Sequence, residues 1–202
     1  MASVTNLQVV HNNINIIFDD GSALAAYPAG SGIYFVDTGV DTGAGGDTGG
    51  GEPPAPGTYS VIFPCAVHNV SDSYAAHVAR GSVNPGTDYT APYGSDVWSV
   101  ADGTVTDITA TYGGSGGRMI HIDNDDGTGA DYLHLSDSTS FVTLGQHVTQ
   151  SQKIALSGAS GYGDEHYYGA HLHISYRTIH GAAYTNNHNI DFDALVRSLG
   201  LT

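Results

Sequence analysis

Through residues 1–40 the apolar side chains recur at alternate positions within short runs. Leu7 and Val9, then Ile14, Ile16 and Phe18, carry the period of a half-buried strand. Asp19-Asp20-Gly21-Ser22 is a turn signal. Ala23 to Tyr27 is therefore expected to run back as a strand, with Gly32-Ile33-Tyr34-Phe35-Val36 as one more. So few short strands bury too little to stand alone, so this N-terminal β segment is expected to pack on the rest of the chain or dock on a partner. After Thr58 short apolar runs recur between Gly, Asp and Ser turns: Val97 to Val100, Val105 to Ile108, Met119 to Ile122, Tyr132 to Leu135, Ile154 to Leu156 and Leu172 to Tyr176. This is an all-β rhythm. Helix is expected at Asp193 to Leu199, capped by Asp191 or Asp193, with Leu195, Val196 and Leu199 on its apolar face. Ser71 to Arg80 offers at most a further helical turn.

The two patterned zones are joined by Asp41-Thr42-Gly43-Ala44-Gly45-Gly46-Asp47-Thr48-Gly49-Gly50-Gly51, then Glu52-Pro53-Pro54-Ala55-Pro56. Such a stretch has almost nothing to bury and is expected to be a flexible linker, stiffened at its prolines. The expected organisation is a β segment over 1–40, a linker over 41–57 and one domain over 58–202.

Composition narrows the chemistry. The single cysteine, Cys65, excludes a disulfide framework and a zinc finger. Twenty acidic residues against five basic ones give a formal charge of −15, which disfavours nucleic acid and anionic membranes as partners. Twenty-eight glycines and thirteen tyrosines against two methionines agree with strands and tight turns. The eleven histidines are the anomaly, and they point to metal or acid–base chemistry. Residues 1–13 have neither the basic start nor the apolar stretch of a secretory leader. Synthesis in a cytoplasm without a signal peptide is expected, with any outside role reached by lysis, dedicated export or assembly into a particle.

In His171-Leu172-His173 the two imidazoles sit at i and i+2 of a strand and so address one face, with Leu172 behind them. Asp88 leaves the Pro85-Gly86 turn into an extended segment, where a carboxylate can serve as a rigid oxygen ligand. His134 lies between Leu133 and Leu135 in an apolar strand. His121, between Ile120 and Ile122, reads as structural, while His166, His180 and His188 fall in polar or Gly-rich loops. Arg80 and Arg118 are expected to pair with local aspartates. A lipoyl-type hairpin carrier shares the rhythm of Gln146 to Gly161, but Lys153 lacks the acidic flanks of a swinging-arm lysine.

Together, Asn84-Pro85-Gly86-Thr87-Asp88, Tyr132-Leu133-His134-Leu135-Ser136 and Gly169-Ala170-His171-Leu172-His173 resemble the three motifs of the lysostaphin/LytM-type peptidoglycan metalloendopeptidases. Gly94 to Val105 is similar to that family's strand pair after the aspartate, and Leu144 to Gly161 to its glycine-punctuated hairpin. The resemblance spans roughly Val61 to Tyr176. It implies an all-β, lysostaphin/LytM-type two-sheet β-sandwich with a barrel-sandwich hairpin. It also implies Zn2+ held by Asp88, His173 and the residue at position 84, with His134 and His171 working on the water and the oxyanion. Three protein ligands and an open position suit hydrolytic zinc.

The family has histidine where this chain has Asn84, and an amide oxygen is a weak zinc donor. Three arrangements follow. Asn84 binds through its oxygen, or His77 swings in to complete the site, or the site is degenerate. The expected function is a zinc endopeptidase acting on peptidoglycan peptide cross-links, carried on a phage tail among tail proteins, with tyrosines lining a narrow groove. The alternative is a degenerate fold serving as a structural or wall-binding tail component.

Overall fold

The computed structural model describes residues 4–10, 13–18, 23–25, 59–181, 183–186 and 188–202. The expected linker over 41–57 and the strand at Gly32 to Val36 lie outside them. The chain divides into two compact units, residues 1–48 and 49–202. In the first, β1 (Val4–Val10), β2 (Asn13–Phe18) and β3 (Ala23–Ala25) form an antiparallel sheet in that order.

The second unit opens with β4 (Val70–Asp72) and α1 (Tyr74–Ala79). There follow β5 (Thr87–Tyr89), β6 (Asp96–Trp98), β7 (Gly103–Thr109), β8 (Arg118–Asn124) and β9 (Gly129–Leu135). Then come β10 (His147–Val148), β11 (Lys153–Leu156), β12 (Leu172–Arg177), β13 (Asn189–Ile190) and α2 (Phe192–Ser198). One antiparallel sheet runs β10-β7-β8-β9-β12-β5-β4, with β13 also on β12, and β11 pairs with β6 in a second. Among the described residues the unit is mostly strand with two short helices, as the all-β rhythm predicts.

The core explains the order. Ile120, Ile122, Tyr132, Leu135, Leu172, Ile174 and Tyr176 are fully buried between the sheets. Strands β9 and β12, in the middle of the large sheet, are buried at every position, so strict in–out alternation fails there. Burial extends to Asp131, His134, His173 and Arg177, whose polar groups must therefore be satisfied inside the protein. Helix α1 is capped by Ser73, whose side chain accepts from Ala76 N, and α2 by Asp191, whose side chain accepts from Ala194 N. No helix among the described residues is long and apolar enough to cross a membrane.

Candidate metal centre and active site

Pairing of β5 with β12 sets Asp88 directly opposite His173. The next strand over, β9, places Leu133 opposite His173 and His134 one residue on. His171 stands just before β12, anchored by His171 N donating to Gly158 O at 3.1 Å. Asp88 Oδ1 lies 2.7 Å from His173 Nδ1, and Oδ2 lies 3.7 Å from His171 Nε2. From α1, His77 brings Nε2 to 3.6 Å from Asp88 Oδ1. Ring centroids of His134 and His171 are 4.7 Å apart, those of His134 and His173 5.8 Å, and those of His77 and His173 4.9 Å. Asp88, His134, His171 and His173 thus stand beside one another.

Hydrogen bonds fix how each imidazole faces this centre. A backbone carbonyl only accepts, so the ring nitrogen against it carries a hydrogen. His77 Nδ1 donates to Ser73 O at 3.0 Å, His134 Nδ1 to Ser160 O at 3.0 Å, and His171 Nδ1 to Gly169 O at 2.7 Å. Each keeps its Nε2 lone pair. Ser175 Oγ donates to Pro85 O and so accepts from His173 Nε2 at 3.0 Å, which leaves the His173 lone pair on Nδ1, against Asp88. Two lone pairs 2.7 Å apart are stable only with a proton or a cation between them.

The electrostatics follow. Burial alone would raise the Asp88 carboxyl, but the His173 hydrogen bond and the nearby imidazoles hold it below its ordinary value. Burial lowers His77, and the neighbouring His173 adds to this against the pull of Asp88. His134 is pushed down to about 3, first by burial and then by His171 and His173. It also has φ 61°, a left-handed backbone that is unusual for a residue with a side chain and is concentrated at functional positions.

The chemistry of the donor set fits zinc. Ligand atoms of His77, Asp88 and His173 all lie within 4.8 Å of one another, two imidazoles and one carboxylate. Ser73 and Ser175 hold the imidazoles in orientation, as outer partners do in metal sites.

Asn84 is directed elsewhere. Its Nδ2 donates to Asp131 Oδ2 at 2.9 Å and its Oδ1 accepts from Asn189 Nδ2 at 2.9 Å. Asp131 is gripped on both oxygens by the fully buried Arg177, at 2.6 and 2.8 Å, and bonded by His121 Nδ1 at 2.6 Å. Asn189 also donates to Pro85 O at 2.8 Å. The amide side chain therefore staples the turn before Asp88 to a buried ionic cluster. His121 is structural, as expected. Arg80 pairs with Asp72, whereas Arg118 takes Glu165 rather than an aspartate. His77 carries no motif signal; the visible hint was the Ser73 cap three positions before Ala76, which starts a short helix with His77 in its last turn.

Comparison with known proteins locates this arrangement. The sequence model for peptidase family M23 matches residues 82–191. An uncharacterized metalloprotease of Haemophilus influenzae is 35% identical over 109 residues, 53% of this chain and 21% of that protein. Peptidoglycan DD-endopeptidase ShyB of Vibrio cholerae is 37% identical over 100 residues, 48% and 22% respectively. The chain thus spans about a fifth of these curated relatives' length. Among solved structures, the antimicrobial peptidase lysostaphin from Staphylococcus simulans superposes with a TM-score of 0.50 at 22% identity, over 65% of this chain and 50% of that one, which shows the shared fold. The matched stretch contains Asn84, Asp88, His134, His171 and His173, but His77 lies before it.

Proposed function

This chain belongs to peptidase family M23, and from that premise we propose that it is a zinc endopeptidase acting on the peptide cross-links of peptidoglycan, with a metal centre made of His77, Asp88 and His173. The observation that carries the reading is that ligand atoms of His77, Asp88 and His173 lie within 4.8 Å of one another, with the His134 and His171 rings packed beside them. A zinc ion held there supplies Lewis acidity, which makes water nucleophilic near neutral pH and polarises a carbonyl.

The protein's own groups do the rest. His134 takes a proton at Nε2 from the attacking water, while its Nδ1 hydrogen stays on Ser160 O and keeps the ring aimed. His134 then passes that proton to the leaving amine, while His171, whose Nε2 faces Asp88 Oδ2, donates to the developing oxyanion as the imidazolium formed by a proton from solvent. Asp88 balances positive charge at the centre, and Ser175 keeps the His173 proton on Nε2. These features favour catalysis over the degenerate alternative, because the Nε2 atoms of His77, His134 and His171 are left with lone pairs beside a carboxylate that the fold does not use. Asn84 keeps a role without ligating: it holds the Asp88 turn.

Turnover of purified cell wall should be abolished by a chelator and restored by zinc. His134→Ala and His171→Ala should each lose about 10²–10⁴ in rate. Failure of the zinc-loaded chain to release peptide fragments would overturn the proposal. We further place the chain on a phage tail, with the N-terminal sheet as its docking piece; purified particles lacking this chain's peptides by mass spectrometry would contradict that placement.

A further inference from the structure

Seven large apolar side chains are exposed among the described residues, and Tyr93, Tyr162 and Tyr167 are three of them, at 44%, 58% and 53%. Tyr162 and Tyr167 belong to one patch beside the active site, while Tyr93 packs on His166, with ring centroids 4.9 Å apart. Tyr162 and Tyr167 have ring centroids 4.8 Å apart, and Tyr167 and Tyr168 also 4.8 Å. Tyr168 continues the series to His134, at 4.4 Å. An aromatic surface therefore runs without a break from solvent to the proton-handling imidazole.

The loop that carries it is rigidly held. Gly161 and Asp164 bond each other reciprocally through N and O, at 2.9 and 2.8 Å. Tyr162 N donates to Gly114 O at 2.8 Å and Gly163 N to Tyr112 O at 2.6 Å. Tyr168 OH donates to Ser115 O at 3.1 Å, and a Cβ on Gly161 would come within 2.5 Å of the Tyr168 ring. Glu165 is tied to Arg118 and accepts from Tyr93 OH at 2.8 Å.

Resting on the endopeptidase reading above, we infer that Tyr162, Tyr167 and Tyr168 form a subsite for a neutral pyranose ring of the glycan strand to which the cleaved peptide is attached. Two observations select a sugar. The backbone donors of Gly161, Tyr162, Gly163, Asp164 and Tyr168 are all consumed within the fold. Along residues 161–164 a peptide thus finds no strand edge to extend, whereas the apolar face of a sugar needs only ring surface with polar tips nearby. Charge excludes an anionic ligand as the main occupant. Each of the chain's five basic side chains already meets a carboxylate: Arg80 with Asp72, Arg118 with Glu165, Lys153 with Asp96, Arg177 with Asp131 and Arg197 with Asp193. Preformed tyrosines lose little side-chain entropy on binding.

Calorimetric titration of the full chain with chitohexaose, a neutral N-acetylated sugar, tests this. Measurable binding is expected, weakened at least tenfold in Tyr162→Ala/Tyr167→Ala and retained within about threefold in the corresponding Phe variant. Binding with that tyrosine dependence upholds the subsite even if no wall hydrolysis is ever observed, which would instead remove the endopeptidase reading. No heat with chitohexaose at millimolar concentration, or equal binding by the Ala variant, overturns the inference. So does a sugar-free wall peptide that binds with the same dependence on Tyr162 and Tyr167.

Discussion

Replacing Gly86 with alanine should damage both the stability and the metal centre. A Cβ there would lie 2.3 Å from Ile174 O, 2.6 Å from His173 Nε2 and 2.6 Å from Ser175 Oγ. The carbonyl cannot withdraw, because Ile174 sits in β12 between β5 and β9. Overpacking of this kind costs about 1–3 kcal/mol, and disturbing the His173–Ser175 hydrogen bond adds about 1 kcal/mol. With a urea slope of about 2 kcal/mol per molar, the midpoint should fall by roughly 1–2 M. Urea unfolding followed by circular dichroism, in chelator, measures the chain without metal. Zinc competition against a chromophoric chelator should show affinity lowered at least tenfold, since His173 Nδ1 is turned from Asp88. Gly169→Ala is the control, because nothing lies within 4 Å of its added Cβ, and its cost should stay within about 0.5 kcal/mol. A Gly86→Ala protein with wild-type midpoint and zinc affinity would refute the reasoning.

Further expectations concern the ligands, the buried cluster and the thiol. His77→Ala should weaken zinc binding by roughly 10²–10³, taking about 10–16 kcal/mol for a four-ligand zinc site and dividing it among the ligands; Asn84→Ala should change it less than tenfold but cost about 1–3 kcal/mol in urea unfolding through its two part-buried hydrogen bonds. Arg177→Met leaves the buried Asp131 carboxylate without its main partner and should cost about 3–5 kcal/mol by the same measurement. Burial would raise Asp131, but Arg177 and His121 hold it below its ordinary 3.8. Its stabilisation is thus present above pH 3.8 and lost as pH falls through the lower folded value, so Asp131→Asn should flatten the acid limb of a stability–pH curve. The Cys65 thiol is 1% exposed and pushed up to about 11, first by burial; iodoacetamide at pH 8 should label it only after unfolding.

Much of this was legible in the sequence because local pattern and fold agree. The apolar runs from Met119, Tyr132 and Leu172 fall within β8, β9 and β12. Asp191 announced α2 as its cap. Strands β4, β10 and β13 were not legible, since two or three residues such as Asn189-Ile190 are defined by the partner strand rather than by their own pattern. Nor was the burial of Asp131 and Arg177, because a charged residue reads as exposed until its partner, 46 positions away, is known. Position 84 shows the limit most clearly. The motif marked where the family ligand is missing and left three arrangements open; the proposed choice of His77 on α1 rests on geometry that no spacing rule encodes. Sequence could not give the loop that gathers Tyr162, Tyr167 and Tyr168 into one aromatic series ending at His134.

The central claim is that His77, and not Asn84, completes the metal centre. Crystals of the zinc-loaded chain, measured on both sides of the zinc absorption edge, test it directly. The account predicts one anomalous peak bonded by His77 Nε2, the Asp88 carboxylate and His173 Nδ1, with Asn84 still joined to Asp131 and Asn189. A peak ligated by the Asn84 oxygen with His77 turned away, or no peak at saturating zinc, would contradict it.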